Sequence, residues 1–399
     1  MRPQSWVLAF IFVSLPAAAW DVRTDSQGDV VRWGHALTMV LDQNAAEQLN
    51  APGAEDAIRA AVANLDEATP FLDVSVRVGA AKQIGYVVGA TDNTNSIVVL
   101  DEWPYAQDAL AVTLVTLNAR TNEILDADVA FNRDEHRFKV LPANNRNNSD
   151  ELDDVQNTFT HELGHVLGLM HNNHSEDLVM FPSAIPGETV KRELKGDDRD
   201  GLLSLYGNST QLAPTTEELA PPVGCSSTGS APVWAFMLPL MALVLRRRRL
   251  ALAMAVVPAL AFADTSPVAV KRAVDAAQDV AVVELGAHES RFHPRYPGLI
   301  VTTFTFSRRE CLKGACAELE TIELPGGRVG DIEQFVAHEP LPTQGARVVV
   351  VRNAGRVQLM RVDPDLQARL LKALRNGSSV PLGLLLPQSA VVQVPAITP

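Results

Sequence analysis

The spacing of apolar residues changes period along the chain, and each period predicts an element. Over 56–65 the apolar positions fall three and four apart, which predicts a helix with one buried face. Residues 109–117 are rich in β-branched and aliphatic side chains, 118–122 carries turn chemistry, and 123–131 alternates; together these predict two paired strands. Val155, Phe159, Leu163, Val166 and Leu167 return to helical spacing, and Asp153 and Asp154 stand where the helix dipole favours carboxylates. The stretch 20–207 therefore predicts an α+β domain: a twisted mixed sheet, a backing helix, and a second helix beneath a cleft. Farther on, alternating runs at 299–306, 319–324, 347–351 and 357–362 are separated by Pro325-Gly326-Gly327 and Asn353-Ala354-Gly355, and 364–375 reads as a helix. These predict a small β-rich domain of barrel-like form over 264–399.

Three runs are apolar without any period. Residues 1–19 begin basic at Arg2, run apolar over 6–15 and end in Ala17-Ala18-Ala19, the three-part pattern of a signal peptide, with cleavage expected after Ala19. The second run, 231–245, follows a Pro-, Thr- and Ser-rich linker over 208–230 and leads directly into Arg246-Arg247-Arg248-Arg249. Fifteen residues give about 22 Å of helix against a hydrocarbon core of about 30 Å, a marginal span whose arginines would stay in the cytoplasm. A short membrane anchor with an incidental cysteine upstream accounts for this. Linker, Gly224-Cys225, short apolar run and arginine cluster also resemble the C-terminal sorting signal of myxobacterial surface proteins. That resemblance implies processing and anchoring at Cys225, on the outer surface of a bacterium. The third run, within 250–263, ends in Ala261-Phe262-Ala263 and, behind the same arginines, reads as a second signal peptide. Two neighbouring exported proteins joined in one reading frame would give this order. So would one chain with a helical hairpin whose arginines lie inside and whose two domains lie outside, although both spans would be short.

Composition then excludes partners and suggests a compartment. With 47% hydrophobic and 20% charged residues the chain is globular, and 399 residues suit two or three domains. The net charge of −13 is concentrated, since residues 21–200 hold 31 acidic against 14 basic side chains. Such a surface repels phosphate backbones and anionic headgroups, which excludes nucleic acid as a partner and leaves membrane or cell-surface anchoring to the segment around Cys225. The carboxylates are of the kind that holds Ca2+, although a solvated, soluble surface explains them better. Cys311 and Cys316 flank a Leu-Lys-Gly-Ala loop that a disulfide would close in an oxidising compartment, with free thiols as the alternative.

The chemistry concentrates in Thr158-Phe159-Thr160-His161-Glu162-Leu163-Gly164-His165-Val166-Leu167-Gly168-Leu169-Met170-His171. On a helix His161 and His165 are one turn apart on one face, close enough to share an ion. Glu162 points to the side, which suits a general base that reaches water without ligating the metal. Gly168 can adopt the left-handed conformation that stops the helix and turns the chain, so that His171 supplies a third nitrogen. Three protein ligands leave a position open, which marks a catalytic rather than a structural Zn2+. Requiring Gly168 and His171 besides the His-Glu-x-x-His core lowers the chance expectation to about 10⁻⁵ for a chain of this length.

After the third histidine, Ser175-Glu176-Asp177-Leu178-Val179-Met180-Phe181-Pro182 resembles the Met-turn of metzincins, which implies that Met180 packs beneath the zinc. The Met-x-Pro form, Gly196-Asp197-Asp198-Arg199-Asp200-Gly201 with Leu205-Tyr206-Gly207, Val31-Arg32-Trp33 and the run from Ile124 to Phe131 resemble matrixins over about 29–207. The resemblance implies a zinc metalloendopeptidase whose substrates are proteins or peptides lying extended along a strand edge. Three departures stand out: Asn172 where matrixins usually have serine, Phe181 where tyrosine is common, and no cysteine between residues 21 and 224 to serve as a latency switch. His174 reads as an exposed loop residue, and His35 and His136 as structural or solvent-exposed. His288, His293 and His338 have no metal-like spacing, and substrate preference falls to the loop over 182–188. The rival reading is a non-catalytic zinc-containing protein that binds peptides or surfaces without cutting them. Intact Glu162 argues against it. In a second rival, the distal domain is a substrate-binding or inhibitory module of the protease. Neither the substrate, the oligomeric state nor the role of 264–399 is legible.

Overall fold

The computed structural model describes residues 20–207 and 267–374, except 26, 82–83, 92, 101–102, 104, 106–108, 144, 146–150, 338, 354–355, 361–367, 369 and 373. The expected signal segments, the linker with Cys225 and the apolar run before the arginines lie outside the described residues. Among the described residues no helix is long and apolar enough to cross a membrane.

The first half opens with β1 (Leu37–Asp42), α1 (Ala45–Gln48) and α2 (Ala54–Asp66), then β2 (Val74–Gly79), β3 (Asn95–Val99), β4 (Ala111–Asn118) and β5 (Glu123–Phe131). The expected helix over 56–65 is thus α2, whose Ala54, Ala57, Ile58, Ala61, Val62 and Leu65 are all buried. Strands β1, β2, β3 and β5 pair in parallel and β4 joins β5 antiparallel, giving the order β4-β5-β3-β1-β2. Two short strands, β6 (Phe138–Lys139) and β7 (Asp153–Asp154), lead into α3 (Val155–Val166), and α4 (Gly196–Tyr206) closes this half.

Both faces of β4 are covered. Ala111, Val115 and Leu117 join the core shared with α2 and α3, while Val112 and Leu114 face a second cluster with Ile84, Trp103 and Tyr105. A strand buried on both faces reads as a nearly continuous apolar run, which is why 109–117 shows little alternation.

The second half contains α5 (Pro267–Ala276), β8 (Asp279–Phe292), β9 (Ile300–Lys313), β10 (Thr321–Pro325), β11 (Gly327–Val329), β12 (Ile332–Val336), β13 (Arg347–Asn353) and β14 (Arg356–Met360). Five of these strands form an antiparallel sheet in the order β10-β9-β8-β13-β14. No ladder joins the end strands among the described residues, yet Ile322 and Leu324 of β10 share one apolar cluster with Val357 and Leu359 of β14, so the sheet curls its two ends toward each other. Gly326 and Gly327, both at positive φ, carry the chain from β10 out of this sheet to β11. Most of the helix expected over 364–375 lies outside the described residues.

Strands β11 and β12 instead extend the first sheet, giving β11-β12-β4-β5-β3-β1-β2, with Ile332 opposite Asn118 and Val336 opposite Leu114. Phe335 and Ala337 enter the main core, and Gly85 approaches Gly298 so closely that a Cβ at 85 would lie 2.3 Å from the Gly298 carbonyl oxygen. The described parts of both halves form one compact unit.

Candidate active site

Helix α3 is fixed at both ends by residues distant in sequence. At its start the Asp154 carboxylate accepts from the Asn157 N–H (2.8 Å) and is held by Arg192, whose Nε lies 2.8 Å from Oδ1. At its end the Trp33 indole donates to the Val166 carbonyl and the Tyr206 hydroxyl to the Leu167 carbonyl, each at 2.8 Å, while the Trp33 N–H donates to that hydroxyl. Last-turn carbonyls that the helix leaves without partners are therefore satisfied inside the core. Burial pushes the Tyr206 phenol far above its ordinary pKa, keeping it a neutral donor.

Gly168 has φ +96, and a Cβ there would stand 2.9 Å from the Val31 carbonyl oxygen, so the turn is restricted to glycine both by conformation and by space. The reversal returns His171 to the face that carries His161 and His165. The Nε2 atoms of His165 and His171 each lie 3.2 Å from that of His161. His161 Nδ1 is 2.6 Å from the Val179 carbonyl oxygen and His165 Nδ1 is 2.8 Å from that of Leu169, so both Nδ1 atoms act as donors. Neutral rings held in that tautomer point Nε2 lone pairs at one another, an arrangement that a shared cation relieves. One ligand atom from each of the three histidines fits within 4.8 Å, and the donor set matches a zinc site; among the described residues no carboxylate group joins it.

Met180 is buried against α3 between the two helical histidines and explains Gly164: a Cβ at 164 would sit 2.3 Å from the Met180 Sδ. Its loop is fastened by Asp198 of α4, whose carboxylate accepts from the N–H groups of Val179 (3.1 Å) and Met180 (3.3 Å), and by the Asn172 N–H on the Met180 carbonyl. The Asn172 side chain donates to Asp197, so the asparagine that departs from the usual serine serves as a clamp between the histidine loop and α4.

Glu162 is 2% exposed, and Thr113 on β4 donates its hydroxyl to the Glu162 Oε2 at 2.7 Å. The carboxylate faces a cavity of about 670 Å³. Its lining includes Ala109, Leu110 and Ala111 at the start of β4, His161, Glu162 and His171, and Thr158, Phe181, Pro182 and Lys191. Lys191 is almost fully buried and donates to Glu188 and to the Ser183 carbonyl, each at 2.6 Å, while the Thr158 hydroxyl is buried with no hydrogen-bond partner.

His161, Glu162, His165, His171 and Met180 are thus brought together. His174 is exposed in a loop and His35 is exposed beside Trp33. His136, just ahead of β6, has its Nδ1 3.2 Å from Asp153 Oδ2 at the start of β7, a structural contact, and it also borders the cleft. Cys311 and Cys316 are disulfide-bonded, with Cα atoms 5.9 Å apart, far along the chain from this site. The sequence left Thr113, Asp198 and Lys191 unassigned. Asp198 carried a signal in the Asp197-Asp198 start of α4, whereas nothing marks one threonine among many on a strand.

Residues 32–207 match the matrixin family model, which supports a metzincin-like metallopeptidase. Shorter stretches resemble Metalloendoproteinase 1-MMP of Arabidopsis thaliana (46% identical over 59 residues, 15% of this chain and 16% of the relative). Others resemble Metalloendoproteinase 1 of Glycine max (48% over 56 residues, 14% and 17%) and Matrix metalloproteinase-27 of Tupaia belangeri (45% over 47 residues, 12% and 9%). The matched stretches span less than a fifth of each of these relatives.

Proposed function

We propose that this metzincin-like chain is an exported, zinc-dependent endopeptidase that hydrolyses peptide bonds in proteins or peptides, with Glu162 as general base. The observation that supports this most directly is the convergence of three imidazole Nε2 atoms beside a buried carboxylate that opens onto a cleft. His161, His165 and His171 would hold the ion, which when bound supplies a Lewis acid that acidifies water and polarises a carbonyl. Glu162 takes the proton of the attacking water on a carboxylate oxygen and returns it to the departing amine. Thr113 fixes the orientation of that carboxylate, and the β4 edge at Ala109 to Ala111 offers main-chain groups to an extended peptide. The signal pattern over 1–19 and the Cys225 segment support export to the surface of a bacterium.

The test is peptide hydrolysis by the purified protein before and after chelation, with zinc stoichiometry measured in parallel. Activity lost on chelation and restored by zinc is the expected result. Bound zinc without hydrolysis of any peptide in a diverse library would instead favour the non-catalytic binding protein.

A further inference from the structure

Strand β12 occupies the same edge of β4 that walls the cleft. Ala111, Val115 and Leu117 turn their side chains toward the helices, and Thr113 turns its own to Glu162, so these residues share one parity. In an extended strand the N–H and C=O groups of that parity point to one edge. β12 covers this edge from Asn118 to Leu114, and the Ala337 N–H adds a last rung to the Thr113 carbonyl at 2.9 Å. There the chain turns back, with the Glu339 N–H donating to the Val336 carbonyl at 3.0 Å. Among the described residues no strand covers the edge from there to Ala109, and that stretch borders the cleft.

The hairpin is held too firmly to act as a flap. Gln334 is 1% exposed and donates to the Thr116 hydroxyl (2.9 Å) and the Gly298 carbonyl (3.0 Å). Glu333 pairs with Arg23 at 3.1 Å, and the Arg23 guanidinium stacks 4.5 Å above the Phe335 ring.

A peptide that extends this ladder in the antiparallel register of β12 runs in the direction of β12, so its N-terminal end meets the turn at Val336 to Glu339. Glu162 is bonded to Thr113, directly under the last rung, so the bond to be cut lies within about two residues of that turn at about 3.4 Å per residue. We propose that the β11–β12 hairpin sets the N-terminal boundary of the substrate, so that the site takes chain ends with about two residues ahead of the scissile bond rather than internal loops. This rests on the hydrolase reading and narrows its substrate class.

The experiment digests a proteome-derived peptide mixture with the full chain and reads cut sites by mass spectrometry. Cuts should cluster near peptide N-termini, and a matched peptide lengthened from two to four residues ahead of its cut should lose about tenfold or more in kcat/KM. Cuts spread evenly along the peptides, or a rate that rises with N-terminal length, would overturn the proposal. Ala337→Pro removes the last rung and should move cuts inward, with thermal melting reporting whether that variant folds. Hydrogen exchange decides independently of turnover. Slow exchange at the Val115 and Leu117 amides means a capped edge, and exchange at the rate of an unpaired strand overturns the proposal even if hydrolysis is robust. If no peptide is cut while those amides stay protected, the hydrolase reading fails and the capped edge stands.

Discussion

At the scale of single residues the site separates into groups that act and groups that aim. In the proposed mechanism Glu162 is the group that acts: Glu162→Gln keeps the shape and the histidines but would remove that base, so zinc stoichiometry should be unchanged while kcat falls by about 10²–10⁴. Thr113 aims. Its hydroxyl is the buried donor to Glu162, so Thr113→Val should lower kcat by about tenfold with KM little changed, and Thr113→Ser, which keeps the hydroxyl, should restore most of the loss. A merely structural role would not be rescued by serine. A second carboxylate pair behaves differently. Burial pushes Asp128 up to about 6, opposed by N–H donors from Gly85 and Ser96, and burial together with the neighbouring Asp128 charge raises Asp126 as well. The fold therefore prefers these groups protonated. The contribution of Asp128 is complete below the unfolded value of 3.8 and is lost as pH rises through about 6, and that of Asp126, raised in the same direction, is likewise lost with rising pH. In urea unfolding at constant zinc, Asp126→Asn should be more stable than the parent at pH 7 and converge with it toward pH 4. A difference independent of pH would refute this assignment.

At the scale of elements, what was legible is what local periodicity controls. α2, β5 and the buried face of α3 follow from apolar spacing, and Gly168 follows from the need for a left-handed turn between His165 and His171. The anchoring of α3 was not legible. It depends on Trp33 and Tyr206, at opposite ends of the domain, meeting at two carbonyls, and no window of sequence contains that encounter. Tyr206→Phe removes one hydroxyl and leaves the Leu167 carbonyl without its donor in a dry site, which should cost about 1–3 kcal/mol in denaturant unfolding. Zinc affinity should fall with it if the helix end positions the histidine turn. Gly164 is a similar case: the sequence offers it only as a variable position between the histidines, yet Met180 occupies the space a side chain would need. Long strands such as β8 escaped detection because charged residues over 284–291 interrupt the alternation where one face meets solvent.

At the scale of the whole molecule, sequence reading places its seam after residue 207 because composition changes there, and the sheet does not respect that seam. Pairing between β4 and β12 joins residues more than two hundred positions apart, and strand pairing at that distance leaves no local trace. Phe335 shows what the pairing does energetically: it is largely buried in the core built by the first half while its chain belongs to the second. If the halves were independent, their unfolding would separate, and truncating this ring would affect little beyond the hairpin. Because they share a core, Phe335→Ala should cost about 3–5 kcal/mol and lower the stability of both halves together. Tryptophan fluorescence follows the first half through Trp33 and Trp103, and hydrogen exchange at β13 follows the second. The two should report one transition in the parent and one shifted transition in the variant. Two separate transitions in the parent would mean that the seam is real, that the hairpin docks as a removable partner, and that the cleft's N-terminal boundary is set by association rather than by the fold.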